Sequence, residues 1–233
     1  MRVIIAIQCR LSSERMPRKV LADVCGKPML LRQIERLRKV AAVDGVVVAC
    51  PEDDAEAIRR AVGVMPVVGP EKDILTRIMN VAQETEADKI VKVGADCPLA
   101  PPDLIALGVE LSRNHGLVQN TVPRMYPDGF DFEVWDTGML KNLDAILSGD
   151  DREWFTSWAL ANCESEFIAL DHDLSKLRLT VDYPEDLEVI RCLWEDMGDA
   201  QWDSDQVIQW CQRNPKVMKL NQKYVTDFGA RPK

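Results

Sequence analysis

Val3-Ile4-Ile5-Ala6-Ile7, followed at once by Gln8-Cys9-Arg10-Leu11-Ser12-Ser13-Glu14-Arg15-Met16-Pro17-Arg18-Lys19, decides how this chain is read. Five apolar residues that stop at a polar loop predict a buried strand of a parallel sheet. Working outward, Leu30, Leu31, Ile34, Leu37 and Val40 recur at helical spacing, and Gly45-Val46-Val47-Val48-Ala49 reads as a second buried strand. A short helix is expected over Asp53 to Val62, a strand over Met65 to Val68, a helix over Asp73 to Glu84 with Asp73 as N-cap, and a strand over Lys89 to Val93. Strand and helix alternate with short connections, which predicts an α/β protein with a mostly parallel sheet flanked by helices. Right-handed crossovers put the ligand crevice of such a sheet at the carboxyl ends of its strands, where the loops after Ile7 and Val93 both open.

The pattern changes after Val118. Pro123, Pro127 and Gly129 interrupt it, and Phe130-Asp131-Phe132-Glu133-Val134 alternates apolar and acidic residues as a half-exposed strand does. We read an inserted antiparallel arm at about residues 118–160 within one domain over 1–233. Pro101 to Ser112, Asp136 to Leu147, Asp151 to Asn162, Pro184 to Trp194 and Ser204 to Arg213 read as helices, and Phe167 to Leu170 and Leu177 to Val181 as strands.

A net charge of −9 argues against non-specific nucleic-acid or membrane-surface binding. Any phosphate site must therefore be a local basic feature. The seven cysteines are scattered and form no C-x-x-C pair, so they read as reduced thiols, several of them core residues. No apolar run reaches transmembrane length, and Met1 to Ile7 is too short for a signal peptide. A cytoplasmic location is expected.

Three stretches could carry chemistry. The first is the loop from Gln8 to Lys19, where three Arg, one Lys and two hydroxyls could share the charge of a polyphosphate. The alternative is a solvated basic loop. The second is Asp96, directly after a strand in Gly94-Ala95-Asp96-Cys97-Pro98-Leu99; it could hold Mg²⁺ against phosphate oxygens or simply form an Asp-Pro turn. The third is Asp182, which also ends an apolar run and could be either a metal ligand or the cap of a helix beginning at Pro184. His115 and His172 read as surface residues and the six tryptophans as packing residues; no Walker A or G-x-G-x-x-G motif is present.

Together these stretches resemble the cytidylyltransferase family that includes the spore coat polysaccharide biosynthesis cytidylyltransferases and the CMP-sugar-acid synthetases. The resemblance runs through Gln8 to Leu21, Gly26-Lys27-Pro28-Met29-Leu30, Val68-Gly69 with Asp73-Ile74-Leu75-Thr76-Arg77, Asp96-Cys97-Pro98-Leu99, Tyr126 to Val134, and Leu177 to Leu187. It implies a glycosyltransferase-A-like nucleotide-binding fold and CMP transfer from CTP to a sugar or sugar acid for surface polysaccharide biosynthesis, with release of pyrophosphate. By resemblance Gln8, Arg10, Ser12, Ser13, Arg15, Lys19 and Asp96 bind the nucleotide, with Arg10, Lys19 and Asp96 catalytic. Asp96 and Asp182 bind Mg²⁺, and Asp128, Asp131 and Glu133 lie on the acceptor side. A homodimer is implied. Two positions depart from the family pattern: Arg18 stands where a glycine usually precedes the loop lysine, and Trp154 stands where His usually follows the Arg152-Glu153 pair. They keep two other readings open, a transferase of the same fold with a different nucleotide or a phosphonate or phosphosugar acceptor, and a non-catalytic sugar-nucleotide-binding protein.

Overall fold

The structure, a computed structural model, describes residues 1–225. Its elements are β1 (Val3–Gln8), β2 (Asp23–Val24), β3 (Lys27–Pro28), α1 (Met29–Leu37), β4 (Gly45–Pro51), α2 (Glu52–Val62), β5 (Val67–Gly69), α3 (Ile74–Thr85), β6 (Lys89–Gly94), α4 (Pro102–Leu111), β7 (Leu117–Gln119), β8 (Phe132–Asp136), α5 (Thr137–Ile146), α6 (Phe155–Asn162), β9 (Glu166–Phe167), α7 (Pro184–Met197), α8 (Ser204–Arg213) and α9 (Pro215–Met218). Seven strands form one sheet in the order β5-β4-β1-β6-β8-β7-β9, and β2 and β3 form a small hairpin. β5, β4, β1 and β6 are parallel; β8 runs antiparallel to both β6 and β7.

The apolar run that opened the sequence is the centre of this sheet. Ile5, Ala6 and Ile7 have no exposed surface. Their side chains alternate between two cores: Ile5 and Ile7 join the layer under α1 and α7, Ile4 and Ala6 the layer under α3 and α5. A strand covered on both faces can afford no polar residue, which is why the run is continuous rather than alternating. Asp73 caps α3 as expected, accepting a hydrogen bond from the Thr76 N–H at 2.8 Å.

Two expectations need correcting. The stretch Phe130 to Val134 is not half-exposed: β8 is an interior strand, and Phe132, Glu133, Val134 and Trp135 are all buried. Its acidic residue survives because Lys92 of β6 meets Glu133 at 3.0 Å, and a paired charge can sit where a lone one cannot. The stretch Leu177 to Val181 forms no strand of the sheet. It is an extended strap that bridges Asp128 and Arg178 and then crosses the Asp96 turn.

Candidate active site

Three loops are gathered at one edge of the sheet by strand direction. β1 and β6 are parallel neighbours, so Gln8 and Gly94 lie side by side, and the Ala95 N–H donates to the Gln8 carbonyl at 2.9 Å. Because β8 runs the other way, its first residue Phe132 pairs with Val93 and delivers the loop 126–131 to the same edge. The strap 177–182 ties them together. Leu179 N–H donates to the Asp128 carbonyl at 2.6 Å and Val181 N–H to the Asp96 carbonyl at 2.8 Å. Gly129 makes the crossing possible: its φ is +106°, and a Cβ there would lie 2.5 Å from the Leu179 carbonyl carbon.

At the meeting point Lys19 Nζ lies 2.7 Å from Asp182 Oδ1 and 3.3 Å from Asp96 Oδ2. Residues separated by 77 and 163 positions in the chain thus converge on one ammonium. Burial disfavours charge on Lys19, but Asp96 and Asp182 outweigh it and raise the pKa, so the side chain stays protonated. Burial likewise opposes ionisation of Asp96, yet the Lys19 ammonium holds its carboxyl below the usual range. The Asp96 turn itself is pinned from below by the fully buried Gln33 of α1, whose amide donates to the Gly94 and Cys97 carbonyls at 2.8 Å each.

Arg15 reaches Asp182 Oδ1 at 2.8 Å, and its guanidinium lies 5.4 Å from the Tyr183 ring centroid. Behind Asp182 sits Arg178, with no exposed surface. It binds Asp182 at 3.1 Å, Asp128 at 3.0 Å and Asp186 at 3.0 Å. Burial opposes the charge of Arg178, but its carboxylates keep it ionised. Arg124 holds Asp131 through two hydrogen bonds of 2.9 and 2.7 Å. Asp128 has its pKa pushed up to about 7, chiefly by burial and then by the charge of Asp131, against the opposing pull of Arg124 and Arg178.

These groups line a cavity of about 300 Å³ whose walls are Gln8, Arg10, Arg15, Ile74, Asp96, Cys97, Asp128, Asp131, Glu153, Trp154, Thr180 and Asp182. Lys19 does not line the cavity but is paired with two of its wall residues, Asp96 and Asp182. Of the residues singled out from the sequence, Gln8, Arg10, Arg15, Lys19, Asp96, Asp128, Asp131 and Asp182 are brought together. Glu133 does not line the cavity: Lys92 takes its charge at 3.0 Å, with the Lys92 ammonium 5.9 Å from the Phe155 ring centroid. Ser12 and Ser13 also stand apart from this cavity. Ser13 Oγ accepts from the Met16 N–H at 3.4 Å, and Ser12 Oγ donates to Glu71 at 2.6 Å on the rim of a second cavity of about 610 Å³. That cavity is bounded by Pro51, Asp54, Gly69 and Pro70.

Both departures from the family pattern have a structural reading. Arg18 adopts φ 57° and ψ 23°, the left-handed backbone that a glycine would take without cost, so the loop keeps its path despite the side chain. Trp154 is half-buried in the cavity wall, its backbone N–H donating to the Asp150 carbonyl at 3.1 Å, and two residues earlier Arg152 binds Asp73 at 2.7 Å and Asp144 at 2.7 Å. Sequence reading missed Gln33, Arg124, Arg178 and Asp186, since nothing about a helix glutamine or a strap arginine marks it before its partners are known. The cysteines are packing residues: all seven are free, and burial pushes the thiols of Cys9 and Cys50 up, that of Cys50 to about 11. No helix among the described residues is long and apolar enough to cross a membrane.

Comparison with known proteins bears on the family and the fold. A relative from Methanocaldococcus jannaschii, itself uncharacterised, is 28% identical over 95% of both chains. The 3-deoxy-manno-octulosonate cytidylyltransferase of Chloroherpeton thalassium is 34% identical over 45% of this chain and 44% of its own length, so the shared stretch is less than half of either protein. Among solved structures, a cytidylyltransferase from Leptospira borgpetersenii superposes with a TM-score of 0.87 at 28% identity, covering 94% of this chain and 97% of the other. A CMP:2-keto-3-deoxy-manno-octonic acid synthetase solved with CTP shares the fold, with a TM-score of 0.66 at 20% identity over 84% of this chain and all of the other. The fold is therefore the α/β nucleotide-binding fold of these transferases, with a mostly parallel sheet between helices. The family profile for cytidylyltransferases matches residues 4–232, nearly the whole sequence, and this chain belongs to the cytidylyltransferase family.

Proposed function

We propose that the protein transfers CMP from CTP to a sugar or sugar acid, with release of pyrophosphate, in the synthesis of a surface polysaccharide. The observation that carries this reading is the convergence of Arg10, Arg15 and Lys19 with Asp96 and Asp182 around one small cavity. A cationic loop opposite two carboxylates suits a polyphosphate accompanied by a divalent cation.

Asp96 and Asp182 fit such a cation. Both offer hard carboxylate oxygens, and both already point at a single positive charge, the Lys19 ammonium. Mg²⁺ typically takes one or two carboxylates and completes its shell with phosphate oxygens and water, so no third protein ligand is required. Mg²⁺ held there supplies charge neutralisation at the phosphate that is attacked.

The remaining chemistry falls to this chain's own residues. An acceptor oxygen attacks the α-phosphorus, an O–P bond forms, and the bond to the β-phosphate oxygen breaks as pyrophosphate leaves. Lys19 and Arg15 stay charged beside the phosphates, where preorganised cations lower the barrier most. Arg10, whose side chain has no ion pair among the described residues, is free to meet the leaving pyrophosphate. Asp128 and Asp131, fixed by Arg178 and Arg124, face the acceptor, and Trp154 offers it an apolar wall. The second cavity beyond Ser12 leaves room for the nucleoside. In this reading the protein works in the cytoplasm as a homodimer.

The test is pyrophosphate release with CTP, Mg²⁺ and a panel of sugars and sugar acids, alongside the other nucleoside triphosphates. Release that depends on CTP and on one acceptor class is the expected result. Binding of CTP without release under any acceptor would overturn the catalytic reading in favour of a binding protein.

A further inference from the structure

The C-terminal turn touches the site from behind. Asn221 is only 1% exposed, although a polar residue near a chain end is usually solvated. Its amide donates to the Arg178 carbonyl at 3.0 Å and to Asp186 Oδ1 at 2.9 Å. Asp186, fully buried, also accepts the backbone N–H groups of Asp182 and Tyr183, at 3.0 Å each. One amide from the tail therefore braces both the arginine and the carboxylate from which Asp182 is suspended. The Asn221 side-chain Oδ1 is buried and accepts no hydrogen bond among the described residues, and the two bonds donated by Nδ2 are what the side chain contributes.

A second contact acts on the cationic loop. The Tyr224 ring lies flat on Tyr183, with centroids 3.7 Å apart and planes 6° from parallel. Tyr183 is the ring on which the Arg15 guanidinium rests while it reaches Asp182. Lys223 fixes the turn to Glu185 at 2.8 Å. Arg15 is a long side chain that reaches Asp182 across the Tyr183 ring, and holding that ring still narrows the directions its guanidinium can take.

We propose that Asn221 and Tyr224 are positioning residues: the C-terminal turn sets the direction of Arg15 and Asp182 and thereby tightens nucleotide binding. This rests on the transferase reading above. Neither residue touches the cavity, so both act through others. The Tyr224 contact belongs to the nucleotide step, because it runs through Tyr183 to Arg15; Asn221 also braces Arg178, which holds Asp128 as well as Asp182.

The experiment is titration calorimetry of CTP with Mg²⁺ into the full chain and its variants, with a melting curve for each and KM and kcat for CTP. Tyr224→Ala is expected to weaken CTP affinity about fivefold, the scale of one aromatic pair. KM should rise in step while kcat stays within about twofold. Tyr224→Phe, which keeps the stacked ring, should bind like the unaltered protein. Asn221→Ala is expected to weaken CTP affinity too and, through Arg178 and Asp128, to lower kcat as well; should it fail to fold, Tyr224 alone carries the test. Unchanged affinity in Tyr224→Ala, or equal loss in Tyr224→Phe, would overturn the proposal. If the unaltered chain bound no CTP at all, the functional reading would fall first, and the two failures are thereby told apart.

Discussion

Arg18→Gly is expected to stabilise the protein, an unusual direction for a substitution beside a buried, doubly paired lysine. Arg18 holds a left-handed backbone, with φ 57°, and its exposed side chain makes no hydrogen bond or ion pair among the described residues. Its backbone is fully used: its N–H donates to the Leu11 carbonyl at 3.0 Å and its carbonyl accepts from Leu21 at 2.9 Å. The conformation is therefore imposed by the loop, and an L-residue pays roughly 1–2 kcal/mol to adopt it. Glycine removes that cost but adds freedom to the unfolded chain, an offset of about 0.5–1 kcal/mol. The net gain is roughly 0.5–1 kcal/mol, worth about 1–4 °C in Tm for a chain of this size. Arg18→Ala keeps the Cβ and should gain nothing, which separates backbone strain from loss of a charge. Turnover should change less than about twofold, since Arg18 does not line the cavity. Differential scanning calorimetry of the three proteins decides the matter. A lower Tm for Arg18→Gly, or an equal rise for Arg18→Ala, would refute the argument from strain.

Asp96→Ala removes one of two carboxylates opposite the cationic loop and should lower turnover roughly 10²-fold or more; near-normal pyrophosphate release from the folded variant would remove that residue from the mechanism. Gly129→Ala drives a methyl into the Thr180 N–H and Leu179 carbonyl carbon and cannot hold φ +106° without strain, so a loss of about 3 kcal/mol is expected in urea unfolding. Asp73→Asn tests a pH dependence. Burial alone would raise the Asp73 pKa, but hydrogen bonds from Thr76 and Arg152 together hold it below 3.8. Its charge therefore stabilises the fold fully above the unfolded value near 3.8, and that contribution is lost as pH falls through the lower folded value. The variant should be about 0.5–1 kcal/mol less stable at pH 7, with the gap closing below about pH 4; a gap that is constant with pH would show that the charge plays no part.

Much of the site was legible because strand ends are legible. Ile7 and Val93 close apolar runs, so Arg10 and Asp96 could be placed at one edge of a sheet before any coordinate was known. Asp182 is reached by the same reasoning, as the end of an apolar run, but the strap carrying it is no strand, and its position depends instead on the crossing at Gly129. Glu133 misled for a related reason. Alternation of apolar and acidic residues usually means one wet face, and only the partner Lys92, 41 positions away, makes a buried acid affordable in β8. What the sequence hides in each case is the identity of a distant counter-charge.

Arg178 gives the molecule a single hinge pin. Its planar fork serves Asp182 at the end of the strap, Asp128 in the loop ahead of β8 and Asp186 at the start of α7. A lysine offers a point charge on a flexible stem and cannot serve all three directions. In the transfer reaction proposed above, donor and acceptor ends would therefore be aligned by one shared part rather than tuned apart. A change that shifts Asp128 is felt at Asp182, so altered acceptor preference is best sought at Trp154 and Glu153 of the cavity wall, away from the Arg178 ion pairs.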